Sequence, residues 1–247
     1  MGKKLLISAL LGAALAMPTA SWATVYFGED LGLGESTPLA TYATATAART
    51  NFLSSLYGVG TEDFESFSAG TTNPSLSFPG AGTATLNGGG SVASVTPGTT
   101  NGVGRYATSG SNYWETNTGF SIDFTAPIAA FGFFGIDIGD FGGQVTVTQI
   151  GGISTTYNVG NTINSPGGSV LFWGVVDAVN PFTSIQFGST SSGADYFGFD
   201  DMTIGSVSQV CGQFGNPPCP SVPESASIVL MGLGLLGLVG LRRRKFS

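Results

Sequence analysis

The feature that most constrains this chain is a succession of short apolar runs of period two, each closed by a turn rich in glycine or proline. Residues 119–124, Gly-Phe-Ser-Ile-Asp-Phe, alternate cleanly and place Phe120, Ile122 and Phe124 on one face of a strand. Residues 75–78 and 84–86 alternate likewise and stop at Pro79-Gly80 and at Asn87 with the three glycines behind it. Residues 130–138 are apolar almost throughout, the pattern of a strand buried on both faces. Residues 144–150 and 154–159 flank Gly151-Gly152, a two-residue hairpin signal. Further runs at 170–176, 184–187 and 196–204 complete at least eight short strands with no helical pattern between them. Such an order predicts an all-β fold, an antiparallel sandwich of the jelly-roll type.

One helix is expected ahead of the strands. Thr37 reads as an N-cap, Pro38 as the first helical residue and Gly58 as the stop, which predicts a helix over 38–57. Leu39, Tyr42, Ala43, Phe52, Leu53 and Leu56 recur near the helical period, while the threonines between them have poor helix propensity.

The two ends read as sorting segments. Lys3 and Lys4 precede an apolar stretch at 5–16, and Ser21-Trp22-Ala23 supplies a small-residue cleavage box, so 1–23 reads as a signal peptide with Thr24 the mature start. At the other end an uncharged run of sixteen residues, 226–241, is followed by Arg242, Arg243, Arg244 and Lys245. At 1.5 Å per residue the run spans roughly 24 Å as a helix, near the ~30 Å of a hydrocarbon core. The cations behind it would remain cytoplasmic, leaving everything upstream outside. A C-terminal transmembrane helix is therefore expected. Between the ends the reading gives an N-terminal segment with the helix at 24–60, the sandwich at 61–208 and a Cys/Pro-rich linker at 209–221, before the tail at 222–247.

The tail, with Val222-Pro223-Glu224 ahead of the apolar run and the cations, resembles the PEP-CTERM sorting domain. Ser225 stands where that family has its second proline. The resemblance implies a Gram-negative exported protein, anchored first in the inner membrane and processed by an exosortase after signal peptidase. Three shorter pieces, at 128–133, 172–175 and 195–201, resemble the ectodomains common among PEP-CTERM proteins, which look like lectin-type jelly rolls. That likeness implies a fold and leaves the ligand open.

Charge narrows the chemistry. Six of the eight cations lie in the sorting segments, so the part between them carries fourteen carboxylates against Arg49 and Arg105, about −12. Such a body is repelled by nucleic acid and attracts divalent cations. The chain has no histidine, which removes Ser-His-Asp and Cys-His catalysis. Cys211 and Cys219, seven Gly/Pro-rich residues apart, most simply close a disulfide loop in an oxidising compartment; free thiols are the lesser reading.

Two acidic clusters bracket the sandwich, Glu62-Asp63-Phe64-Glu65 and Asp200-Asp201. First and last strands of a jelly roll commonly lie side by side, so Glu65 and Asp201, with Glu62 and Asp200, are candidate ligands of a structural Ca²⁺; the alternative is a solubilised edge strand. Asp137 and Asp140 follow a buried strand in a loop, where they could accept bonds from sugar hydroxyls beside a stacking platform drawn from Trp114, Tyr113, Trp173 or Tyr196. The blander reading is a polar turn beside core aromatics. The whole points to a non-enzymatic exported surface or matrix protein, structural or glycan-binding, in the extracellular polysaccharide layer. The alternatives are a secreted carbohydrate-active enzyme using paired carboxylates and an unprocessed, membrane-anchored periplasmic protein.

Overall fold

A computed structural model of the chain describes residues 23–219 except 118, 191–194 and 213–214. In chain order the elements are β1 (Thr24–Asp30), α1 (Ala43–Leu53), β2 (Thr61–Glu62), β3 (Ser75–Phe78), β4 (Gly82–Asn87), β5 (Ser91–Ser94), β6 (Asn112–Asn117), β7 (Ser121–Ile128), β8 (Ala130–Ile136), β9 (Gly143–Gln149), β10 (Ser154–Asn158), β11 (Val170–Val176), β12 (Phe182–Ser189) and β13 (Tyr196–Gly205). They form two antiparallel sheets. One runs β1-β11-β8-β13-β6-β5, with β2 also paired to β13, and the other runs β10-β9-β12-β7-β4-β3. From β6 onward the chain crosses repeatedly from one sheet to the other, so each sheet supplies half of the core between them.

That core is aromatic. Phe120 lies flat on Phe187 at 4.2 Å, and Phe133 on Phe199 at 4.9 Å. The alternation read at 119–124 holds, for Phe120 and Ile122 are fully buried and Phe124 nearly so. The Gly151-Gly152 hairpin also forms, both glycines having positive φ, 92° and 87°, as a tight right-twisted turn requires.

Strands β8 and β11 are buried along their whole length because their sheet is covered twice. Its inner face meets the second sheet; its outer face carries α1, whose Ala45, Ala48 and Phe52 pack against Phe134, Phe172 and Val176. Two cross-strand partners, Gly132 of β8 and Gly174 of β11, make the slot that admits Phe52. A Cβ on either would stand 2.9 Å from that ring.

The helix is shorter than the sequence predicts. Thr37 does not cap it. The cap is Asp30 at the end of β1, whose carboxylate accepts from the N–H groups of Thr44 (3.3 Å) and Ala45 (2.9 Å), a favourable charge at the positive end of the helix. The segment before it stays irregular because Leu39 N–H donates to the Tyr106 hydroxyl at 3.0 Å. Strand β1 itself pairs with β11 over seven residues, so the segment 24–60 is part of the sandwich rather than a lead-in to it. Strands β1, β2, β5 and β6 were not legible in the alternation.

Antiparallel register defines two poles. Thr24, Val176, Ala130 and Gly205 lie together at one, and Asp30, Val170, Ile136 and Gly198 at the other. The seven residues of β1 separate them by about 20 Å. No helix among the described residues is long and apolar enough to cross a membrane. The signal peptide at 1–23 falls almost wholly outside the described residues, and the transmembrane helix, the motif Val222-Pro223-Glu224 and the cations Arg242, Arg243, Arg244 and Lys245 do so entirely.

Candidate functional site

The pole that ends β8 and begins β13 concentrates the polar chemistry. Asp137, just past β8, adopts a left-handed backbone (φ 67°) that turns its carboxylate toward the loop between β5 and β6. Its Oδ1 accepts from Gly168 N–H at 2.9 Å, and its Oδ2 lies 3.5 Å from Arg105 Nη1. Gly104 leaves room for it, since a Cβ there would come within 2.6 Å of Oδ1. Arg105 also donates through Nε to Glu115 Oε1 at 2.6 Å and through Nη1 to the Tyr196 carbonyl at 3.4 Å, and its guanidinium sits 5.8 Å from the centre of the Tyr196 ring. One of the two cations of the exported part is thus held between two carboxylates and an aromatic face.

Tyr196 is 51% exposed, a flat apolar surface facing solvent. Beside it burial, and then the neighbouring Asp140 carboxyl, raise the Asp195 pKa. Burial pushes Asp137 up to about 6, against the pull of Gly168 N–H and Arg105. Beneath the cluster, the Tyr113 hydroxyl is buried without a hydrogen-bond partner, and burial raises its pKa. An exposed ring flanked by hydrogen-bond acceptors is suited to a ligand with one apolar face and a rim of hydroxyls or amines.

Of the stacking platforms expected from sequence, three are in the wrong place. Trp114 and Trp173 are fully buried inside the sandwich, Trp114 stacked on Phe64 at 6.4 Å and Trp173 tilted on Phe131 (6.4 Å) and Phe133 (6.3 Å). Tyr113 is buried as well. A ring on the inward face of a two-sheet core cannot meet a sugar, so the Trp114 and Trp173 assignments are corrected. Asp137 and Asp140 do lie at the pole, Asp137 half-buried and Asp140 exposed. Arg105, Glu115 and Asp195 were missed; the scarcity of cations was the signal that could have singled out Arg105.

The acidic clusters converge as expected, but on a loop. β2 lies beside β13, with Glu62 opposite Met202. Asp200 Oδ2 accepts from Thr108 N–H (2.7 Å), Thr108 Oγ1 (2.8 Å) and Ser109 N–H (3.2 Å), and its Oδ1 accepts from Asp201 N–H at 2.8 Å. Asp201 accepts from Ser109 Oγ at 2.9 Å, and Glu65 Oε1 accepts from the N–H groups of Ser111 (2.7 Å) and Asn112 (2.5 Å). Glu62 turns back to accept Phe64 N–H at 2.8 Å. Two interruptions break the alternation assumed for these segments, the left-handed Phe64 (φ 60°) and a bulge at Asp201 (φ 49°). Among the described residues no three acidic, histidine or cysteine side chains gather around one point as a metal ion requires. Of the residues expected to hold Ca²⁺, Glu65, Asp201 and Asp200 accept hydrogen bonds from residues 108–112, while Glu62 accepts from Phe64. Burial and the adjacent Asp201 push the Asp200 pKa well up, while its donors from Thr108 and Asp201 pull it back. For Asp201, burial raises the pKa and Arg49 lowers it.

At the opposite pole Cys211 and Cys219 are disulfide-bonded, with their Cα atoms 4.9 Å apart. Cys211 N–H donates to Ser55 O at 3.0 Å, and Asn216 Nδ2 donates to the carbonyls of Val207 and Val210, each at 2.8 Å. The loop read as a linker is folded back onto the residues that follow α1.

Comparison with known proteins bears on address. No curated protein matches the sequence. Among solved structures, the K2 cleaved adhesin domain of Lys-gingipain aligns with a TM-score of 0.36 at 13% identity, over 59% of this chain and 98% of that one. The PEP-CTERM protein-sorting motif matches residues 221–245. That segment carries the arrangement read from the sequence, Val222-Pro223-Glu224, the apolar run and the terminal cations, and it marks the chain as an exported, membrane-anchored precursor processed by an exosortase.

Proposed function

We propose that the exported part is a non-enzymatic surface protein with a jelly-roll architecture that binds saccharide at the pole away from its disulfide-closed tether. The observation that carries this reading is the exposed Tyr196 ring, backed by Arg105 and bordered by Asp137, Asp140 and Asp195. The ring offers stacking area, and the carboxylates accept from hydroxyls or amines. Because Arg105 is already paired with Glu115 and Asp137, the pole is net negative. The favoured ligands are neutral or ammonium-bearing sugars of the polysaccharide layer, and uronates are repelled.

The test is titration calorimetry against neutral, amino- and uronate-bearing oligosaccharides. Tyr196→Ala is expected to weaken binding about ten-fold, the loss of one stacking contact of roughly 1–1.5 kcal/mol, with the melting temperature unchanged. Absence of binding to every oligosaccharide, or full affinity in the alanine variant, refutes the reading.

A further inference from the structure

Both ends of the described chain reach one pole. Thr24 opens β1 opposite Val176, and Thr24, Tyr26, Ser55, Cys211 and Cys219 line a single cleft there, with no charged side chain among them. Leu56 bridges Val210, Cys211 is bonded to Ser55, and the disulfide brings the chain back to the same place at Cys219. Cys219 is thus tied to the folded body, and Val222, where the sorting motif begins to match Val-Pro-Glu, is three residues further on. Three residues reach at most ~10 Å. A domain of about 200 residues has a radius of gyration of roughly 16 Å, so an enzyme gripping the motif is forced against this pole.

We infer that the tether pole is a contact surface for the membrane-embedded processing enzyme, and that the Cys211–Cys219 bond sets the spacing that enforces the contact. The inference rests on the sorting reading of the tail and is independent of any glycan. The surface fits a partner that is neutral and hydrogen-bonding, so the contact is insensitive to salt. With the disulfide closed, the connection from body to motif is three residues; opened, and with the Asn216 hydrogen bonds released, it lengthens to as many as eleven. The effective concentration of a tethered contact falls as about the −3/2 power of linker length, which gives a loss of up to about seven-fold.

The experiment follows removal of the tail by pulse-chase in an exosortase-bearing host, using the full-length precursor. Two variants are compared with the natural chain: Cys211→Ser with Cys219→Ser, and an insertion of about ten Gly/Ser residues between Cys219 and Pro220 that leaves the disulfide in place. The same length rule predicts processing slower by up to about seven-fold for the first and by about nine-fold for the second. Processing of the insertion variant at the natural rate or faster overturns the inference, whatever the cysteine pair does, because a slow cysteine variant alone would mean only damaged folding. A natural precursor that is never clipped overturns the sorting reading beneath it.

Discussion

The glycine slot under α1 makes a quantitative prediction. Gly132→Ala places a Cβ 2.8 Å from Phe172 Cζ and 2.9 Å from Phe52 Cε1, distances that force one of two packed rings to move. Gly132 has no positive φ, so the backbone tolerates alanine and the cost is steric. Overpacking of this kind costs about 1–3 kcal/mol. Phe52→Ala removes a fully buried ring that meets Tyr26 at 5.7 Å and Phe172 at 5.5 Å, a loss of about 3–5 kcal/mol. In the double variant the clash with Phe52 disappears and the new methyl group occupies part of the vacated space. The two costs should therefore fall short of additivity by at least ~1 kcal/mol. Urea unfolding of the domain, followed by the fluorescence of buried Trp114 and Trp173, measures all four corners of the cycle. Each kcal/mol also lowers the melting temperature by about 2–4 °C in a domain of this size. Costs that add within ~0.5 kcal/mol would show that Phe52 does not occupy the slot, and the account of why β8 and β11 are buried on both faces would fail.

Three further outcomes follow from the charged groups and the tether. Asp137 keeps its proton to about pH 6 in the fold and to about pH 4 when unfolded, so the folded form binds more protons between those values; stability should fall as pH rises from 4 to 6 and level off above, a slope that Asp137→Asn reduces and that denaturant titrations across pH would reveal. Asp200→Asn sets an amide against donors from Thr108, Ser109 and Asp201 and should cost about 1–3 kcal/mol, whereas a loss under ~0.5 kcal/mol in chemical denaturation would mean that the native carboxyl is already protonated. Intact-mass measurement of the exported product should find the C-terminal apolar run and its cations removed, and a mature protein still carrying Arg242–Lys245 would contradict processing.

Much of the fold was open to reading because period-two burial is a local property. Phe120, Ile122 and Phe124 alternate whatever their partners, and Gly151-Gly152 turns for reasons confined to two residues. The helix boundary was harder to read: Thr37 and Pro38 carry a start signal, yet the cap is Asp30, supplied by a strand that lies before it in sequence. Short strands such as β2 and β5 were hidden because two to four residues carry too little pattern. The candidate site was half visible. Asp137 and Asp140 were found as acidic loop residues after a buried strand, but a tryptophan in a strand looks the same whether it faces core or solvent.

By itself the sequence determined the address, the strand-rich class, the disulfide and the absence of imidazole chemistry, all consequences of residue type and near neighbours. Tertiary structure decided which aromatic ring meets solvent, that Arg105 from one loop is held by Glu115 of β6 and by Asp137 just past β8, and that Asp200, Asp201 and Glu65 grip a loop. Those outcomes depend on β6, β8 and β13 lying side by side. Contacts between residues 10 to 92 positions apart are fixed by sheet register and by a bulge, quantities that no local pattern encodes.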